Sequence, residues 1–287
     1  MEVAYDYGVL MKPKVLVAML ALYLTTYFAS IAYLGETPVK LDQFTLGFIA
    51  LAFSVSGANA MNCIFDRDID AVMVRTKERP LARGTITITN AILISSLLMG
   101  FSTILATYLG TIPLFFLLGG TGSYILLYTV IFKRRTCSNI FFTAPSVAAP
   151  AWFGWYLGGA PFYPVGLMMG LLVAIWGPLH LWSLAFVHSK DYERANIPMF
   201  TSLVTKTKAI QGILVNLSLL VFSSYLLYIW NKSTFYLVGV SLLNIFLVIV
   251  GTRLYYNKTK RASWMLFKFT SPYIILIFLL FALTCMK

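Results

Sequence analysis

The chain has 287 residues, 59% hydrophobic and 11% charged, with a formal net charge of +12. A soluble domain carries about twice that charged fraction, so a large soluble core is excluded. The positive-inside bias of membrane proteins accounts for the net charge more simply than nucleic acid does, and no nucleic-acid partner is expected.

Nine apolar stretches follow in chain order, at about 15–34, 44–63, 88–109, 112–132, 138–157, 164–188, 210–230, 235–254 and 267–285. Each approaches the roughly 20 residues that a membrane-crossing helix needs. The stretches are continuous and do not alternate, so helices are expected rather than a β-barrel. The first is followed by many others, which makes it a span and not a cleaved signal peptide. The expected fold is an all-α integral membrane bundle of nine transmembrane helices, one polytopic domain over residues 1–287. Cys63, Cys137 and Cys285 are odd in number and widely spaced, which argues against a disulfide framework or a zinc site. The terminal TCMK lacks a Cys-a-a-X ending, so prenylation of the chain itself is not expected.

The Lys and Arg residues fall on one side. The N-terminus carries two, and the loops after spans 2, 4, 6 and 8 carry five, three, four and five. The other side holds only Lys40, Lys232 and Lys287. This places the N-terminus and the even loops in the cytoplasm, the C-terminus outside, and the chain in the cell membrane. Tyr33, Tyr108, Trp155, Tyr156, Tyr163, Trp230 and Tyr236 lie at the outer ends and suit an interfacial belt. The loops after spans 2 and 6 are the long ones, and long polar loops on one face are where function is expected.

Six of the ten acids sit in those two loops: Asp66, Asp68, Asp70 and Glu78 after span 2, Asp191 and Glu193 after span 6. The others are Glu2, Asp6, Glu36 and Asp42. None lies in the middle of a span, which weakens an ion-coupled transporter. Asn62, Asp66 and Asp70 are spaced i, i+4, i+8 and share one helix face, shifting by about 40° each time. Asp68 lies about 200° from Asp66 and points elsewhere. Two carboxylates and an amide make an oxygen-rich strip of the kind that joins Mg²⁺ to substrate phosphates. Arg75, Lys77, Arg79 and Arg83 follow directly, and guanidinium and ammonium groups bind phosphate. Acids for a metal beside bases for phosphate indicate a metal–diphosphate site. Asp191 stands at the exit of span 6 as Asp66 does at span 2, four spans away. The small-residue run SVSGANA (Ser54 to Ala60) suits close helix packing beside the site.

The pattern Asn62-xxx-Asp66-xxx-Asp70 after the second span, with an acidic motif after the sixth, resembles the UbiA superfamily of intramembrane prenyltransferases. Within it, DRDIDAVMVRTKERPLARG, YTVIFKRRTCSNI, HLWSLAF and KDYERANIPM resemble the protohaem IX farnesyltransferase (haem O synthase) family. The chain departs from that pattern at Thr143-Ala144, where a glycine pair is usual, at the single Pro150, where a proline pair is usual, at His188, where arginine is usual, and at Asn196, where glycine is usual. The resemblance implies loops after helices 2 and 6 over a central cavity. It also implies transfer of a farnesyl group from farnesyl diphosphate to a vinyl of protohaem IX, with water completing the substituent. Mg²⁺ would be held against the diphosphate by Asp66, Asp70 and Asp191, and Asn62 would orient it. Arg75, Lys77, Arg79, Lys133, Arg134 and Lys190 would neutralise the leaving group. Tyr124, Tyr128, Trp182 and Tyr192 would shield the allylic cation. His180 would ligate haem iron or bond a propionate, unless it is a packed polar residue. Membrane lipid surrounds such an enzyme, and haem A synthase or oxidase assembly proteins are its expected partners. Two other readings fit the same residues. One keeps the site with a quinone-precursor or glycerol-lipid acceptor. The other is a transporter or binding protein for an anionic lipid or haem.

Overall fold

The structure, a computed structural model, describes residues 2–35 and 38–286. Helix α1 (Glu2–Leu10) precedes α2 (Pro13–Leu34) and α3 (Leu41–Phe65). Short helices α4 (Arg67–Val72) and α5 (Pro80–Arg83) occupy the loop before α6 (Ile88–Leu109). Helix α7 (Thr111–Gly122) continues as a π-helix over Ser123–Phe132. A 3-10 turn (Asn139–Thr143) enters α8 (Ala144–Leu157), and a π turn (Phe162–Gly166) enters α9 (Leu167–Val187). The second long loop holds α10 (Ser189–Arg194) and α11 (Phe200–Leu203). Helices α12 (Lys206–Leu226), α13 (Tyr228–Asn231), α14 (Thr234–Asn257) and α15 (Lys260–Cys285) complete the bundle. No strand occurs among the described residues. Glu36, and Lys287 of the outer side, lie outside the described residues.

Among the described residues eight helices are long and apolar enough to cross a membrane, and the chain is a multi-pass membrane protein. The fifth expected stretch, 138–157, is not one continuous helix. Its α-helical part, α8, has 14 residues. That is about 21 Å of rise, short of a hydrocarbon core of about 30 Å. Pro145, near the start of α8, cannot donate a backbone hydrogen bond, and the chain before it is wound as 3-10. Phe101, Phe115, Phe222 and Phe246 are exposed and face lipid.

Small residues set the helix spacing. A Cβ added to Gly57 would meet the Met99 side chain at 2.7 Å and the Ser95 carbonyl at 3.0 Å. Ser95 donates to the Gly57 carbonyl at 2.9 Å, locking α6 onto α3. Gly154 on α8 and its C-cap Gly158 form a GxxxG step against α2; a Cβ on Gly154 would lie 2.5 Å from the Tyr23 carbonyl. The aromatic belt holds only in part. Tyr108 and Tyr163 are exposed, whereas Trp155 and Tyr236 are buried in the bundle. Their polar atoms are committed inside: Trp155 Nε1 donates to the Pro161 carbonyl and Tyr236 to the Ser224 carbonyl.

Without a hydrophobic drive between helices in lipid, polar contacts contribute to association. Buried Asn244 on α14 accepts from the Tyr273 hydroxyl at 2.6 Å and donates to Ser224 Oγ at 3.0 Å, joining α12, α14 and α15. Asn244→Leu should destabilise the bundle by about 1 kcal/mol. A lower melting midpoint in detergent, with the specific activity of the folded fraction unchanged, checks this.

Candidate active site

Asn62, Asp66 and Asp70 are buried, at 2%, 2% and 4% exposure. Helix α3 ends at Phe65 and Asp66 sits in the joint before α4, at φ −94°, ψ 4°. The hydrogen-bond ladder survives the joint: Asp66 N–H donates to the Asn62 carbonyl at 2.9 Å, and Asp70 N–H to the Asp66 carbonyl at 2.7 Å. The three side chains therefore stay in one column. Asn62 Nδ2 donates to Asp66 Oδ2 at 2.9 Å and to Thr129 Oγ1 at 2.9 Å. Asp68 faces outward with a 67% exposed side chain, paired with Arg134. Hydrogen bonding to Arg134 holds the Asp68 carboxyl below its ordinary value.

Each member of the column meets a base from a different segment. Lys133 pairs with Asp66. Arg79 Nη1 donates to both oxygens of Asp70, at 2.8 and 2.7 Å. Burial pulls the guanidinium down, but Asp70, Cys63 and Tyr124 together leave Arg79 above its ordinary value. Lys12 Nζ donates to Asn62 Oδ1 at 2.5 Å. Lys133 arrives because α7 is π-wound at its end. In an α-helix a residue nine places after Tyr124 would stand about 180° away from it. Here Lys133 N–H bonds five residues back, to the Tyr128 carbonyl at 2.8 Å, and the ammonium lies 5.7 Å from the Tyr128 ring centre. Such π segments are rare and often mark functional sites.

The remaining bases are placed differently. Arg134 is turned outward to Asp68 and does not reach the column. Lys77 is exposed beside Glu78, at 4.0 Å. Lys190 is exposed and makes no ion pair among the described residues. Arg75 is exposed, and its backbone takes part in the joint described next. Lys12, which sequence reasoning counted only as a positive-inside residue, is brought in by the fold.

The two loops that carry the acidic motifs meet. Val74 and Arg75 N–H groups donate to the two oxygens of Asp191, each at 3.3 Å. Arg194 approaches at 3.4 Å and His188 at 3.8 Å. Burial, then Arg75, hold the His188 imidazole below its ordinary value, with Asp191 opposing. Tyr192 is buried next to Asp191, and its burial raises its hydroxyl pKa. Asp66 Oδ1 is buried with no hydrogen-bond partner. Among the described residues no three His, Cys, Asp or Glu side chains group tightly enough to hold a metal ion unaided. An unpartnered carboxylate oxygen, in a site whose acids are all hard oxygen donors, fits Mg²⁺ that shares its coordination with phosphate.

A cavity of about 400 Å³ opens among α2, α3, α7, α8, α9 and α15. It touches the acid column's surroundings through Tyr124 and Tyr128, whose rings lie stacked 6.0 Å apart. Trp176 and His180 also line it. His180 is sandwiched between Trp176, at 4.4 Å, and Phe267, at 4.3 Å. Its Nδ1 is 2.8 Å from Thr270 Oγ1, and that hydroxyl gives its own proton to the Phe267 carbonyl, also at 2.8 Å. Thr270 must then accept, so Nδ1 carries the hydrogen and Nε2 carries a lone pair. Both faces and one edge of the ring are taken, leaving the Nε2 edge. Trp182 and Tyr192 are buried but do not line the cavity. Asn196 has φ +53°, the left-handed conformation that a glycine adopts freely and asparagine tolerates.

The model of the UbiA prenyltransferase family matches residues 22–283. A protoheme IX farnesyltransferase of Desulforudis audaxviator is 32% identical over 88% of this chain and 81% of its own length. One from Caldivirga maquilingensis is 32% identical over 96% of each. Among solved structures, a digeranylgeranylglyceryl phosphate synthase superposes with a TM-score of 0.80 at 18% identity, covering 100% of both chains. A UbiA homolog from Archaeoglobus fulgidus bound to GPP and Mg²⁺ gives 0.69 at 15% identity, over 96% of this chain and 99% of that one. At those identities the structures establish the fold alone.

Proposed function

This chain belongs to the UbiA prenyltransferase family, and we infer that it converts protohaem IX (haem B) to haem O with farnesyl diphosphate as donor. The observation that carries the reading is the joint at Asp191. It brings the loop after span 6 onto the loop that follows Asp66 and Asp70, beside an apolar cavity with one histidine in its wall. The relatives named for this reaction support the acceptor.

Asp66, Asp70 and Asp191 would hold Mg²⁺ together with the diphosphate oxygens, and Asn62 orients the column. Bound Mg²⁺ supplies positive charge to the leaving group. The bond between farnesyl C1 and the diphosphate oxygen breaks, and its electron pair leaves on the diphosphate. Lys133 and Arg79, which pair with Asp66 and Asp70, stand nearest to receive that charge, and stabilising it is the main electrostatic lever. Tyr124 and Tyr128 offer π faces to the allylic cation. The vinyl π pair of protohaem forms the new C–C bond. Water then adds to the resulting cation and loses a proton, giving the hydroxyethyl-farnesyl substituent. The apolar lining keeps water from C1 until the acceptor arrives. The lone pair on His180 Nε2 suits haem iron rather than a propionate, which would need a donor. The bias of basic residues supports a cytoplasmic N-terminus and a cytoplasmic position for this face, in a cell-membrane enzyme of one polytopic domain. Haem A synthase and oxidase assembly proteins would take its product.

Purified protein supplied with farnesyl diphosphate, Mg²⁺ and protohaem should yield haem O, read by mass spectrometry. No prenylated haem, with an aromatic acid or glycerol phosphate prenylated instead, would overturn the acceptor. In the same preparation His180→Ala should weaken ferric protohaem binding, read from the Soret band, by about tenfold or more. Thr270→Val should weaken it by about tenfold.

A further inference from the structure

Three bases reach the acid column, and two of them meet carboxylates: Lys133 at Asp66 and Arg79 at Asp70. Lys12 meets none. Its ammonium donates to Asn62 Oδ1 at 2.5 Å and to the Tyr124 hydroxyl at 3.3 Å, both neutral groups. Among the described residues it forms no ion pair. An ammonium has three donors, so one remains. Burial pulls its pKa down, but Tyr124, Cys63 and Asp66 outweigh burial and leave it above the ordinary lysine value. Lys12 is half-buried, its two partners are neutral, and its third donor and its charge remain for an anion.

The chain fixes Lys12 in place from both sides. Its backbone is left-handed, at φ 53°, ψ 69°, between α1 and Pro13 of α2. That conformation is uncommon for a residue with a side chain. Helix α1 is fastened to the loop beyond the acid column: Asp6 accepts from Arg83 at 2.8 Å and from Thr85 at 2.6 Å. Leu10 is buried against Ala60, Cys63 and Leu81. The Met11 carbonyl accepts from Asn59 Nδ2 at 3.1 Å.

We propose that Lys12 is a diphosphate ligand, the third cation of the site, and that α1 is the clasp that holds it there. This rests on the prenyl-transfer reading. Lys12 donates to a phosphate oxygen of the donor and stabilises the electron pair that the departing diphosphate retains.

Calorimetric titration of the full chain in detergent with Mg²⁺ and inorganic pyrophosphate tests it. Lys12→Met should weaken pyrophosphate binding by about tenfold, the scale of one charge-assisted hydrogen bond. Lys12→Arg should stay within about threefold, because charge and donors remain. Asp6→Asn, which loosens the clasp and leaves Lys12 present, should fall between. Protohaem binding, read from the Soret band, should be unchanged in all three, which reports an intact bundle. Wild-type affinity in Lys12→Met overturns the Lys12 assignment alone. A wild-type chain that binds no pyrophosphate overturns the prenyl-transfer reading and the assignment with it.

Discussion

Asp66→Asn should lower haem O formation by about a thousandfold while the protein still inserts and folds. Asp66 is the centre of the column. One oxygen accepts from Asn62 Nδ2 and pairs with Lys133, and the other is buried without a partner. Asparagine is nearly the same shape, so packing is preserved. The change removes the negative charge and turns one acceptor into a donor. Lys133 is then left buried with no counter-charge, and the position can no longer contribute an anionic oxygen to a metal. A single-turnover assay with labelled farnesyl diphosphate, beside size-exclusion and melting profiles, measures the effect. Product above about a tenth of wild type would sink the role given to Asp66. A transporter or binding protein would keep moving its substrate after this change. Asp68→Asn is the matched control. Its ion pair with Arg134 lies at the surface, where such pairs contribute about 0–1 kcal/mol, so activity should stay close to wild type.

The spans and the column were legible in the sequence because each depends on a single local rule. A hydrophobic run needs only length to be a span, and i, i+4, i+8 needs only helix geometry. Even the joint at Asp66 left that register intact, since its ladder bonds persist. The parts that were not legible depend on departures from those rules. The π winding that brings Lys133 round leaves no mark in a uniformly apolar segment. Lys12 looks like any other positive-inside residue until α1 is folded back against Arg83 and Asn59. Trp155 and Tyr236 sit near span ends and read as belt residues. Only tertiary packing shows that their N–H and O–H groups are committed inside the bundle. The fifth stretch was long enough on paper, yet its N-terminal turn is 3-10 rather than α.

Asp191→Asn should cut activity by about a hundredfold and, unlike Asp66→Asn, should also loosen the loop after α4. Asp191 receives two backbone N–H groups, Val74 on one oxygen and Arg75 on the other. A carboxylate can accept both. Asparagine turns one acceptor into an NH₂ group that faces an N–H donor, so one of the two bonds must break. Val74 and Arg75 lie in the segment between α4 and α5 that also carries Arg79, the partner of Asp70. Losing the anchor should therefore raise amide deuterium exchange at Val74 and Arg75, with the α3 amides around Asn62 unaffected. Adding Mg²⁺ and pyrophosphate should slow that exchange in the wild type and much less in the variant. Two outcomes would divide the double role given to Asp191. Faster exchange with full activity makes it a latch and removes it from the metal set. Lost activity with unchanged exchange leaves it a metal ligand, and the joint between the two loops would then not be what assembles the site.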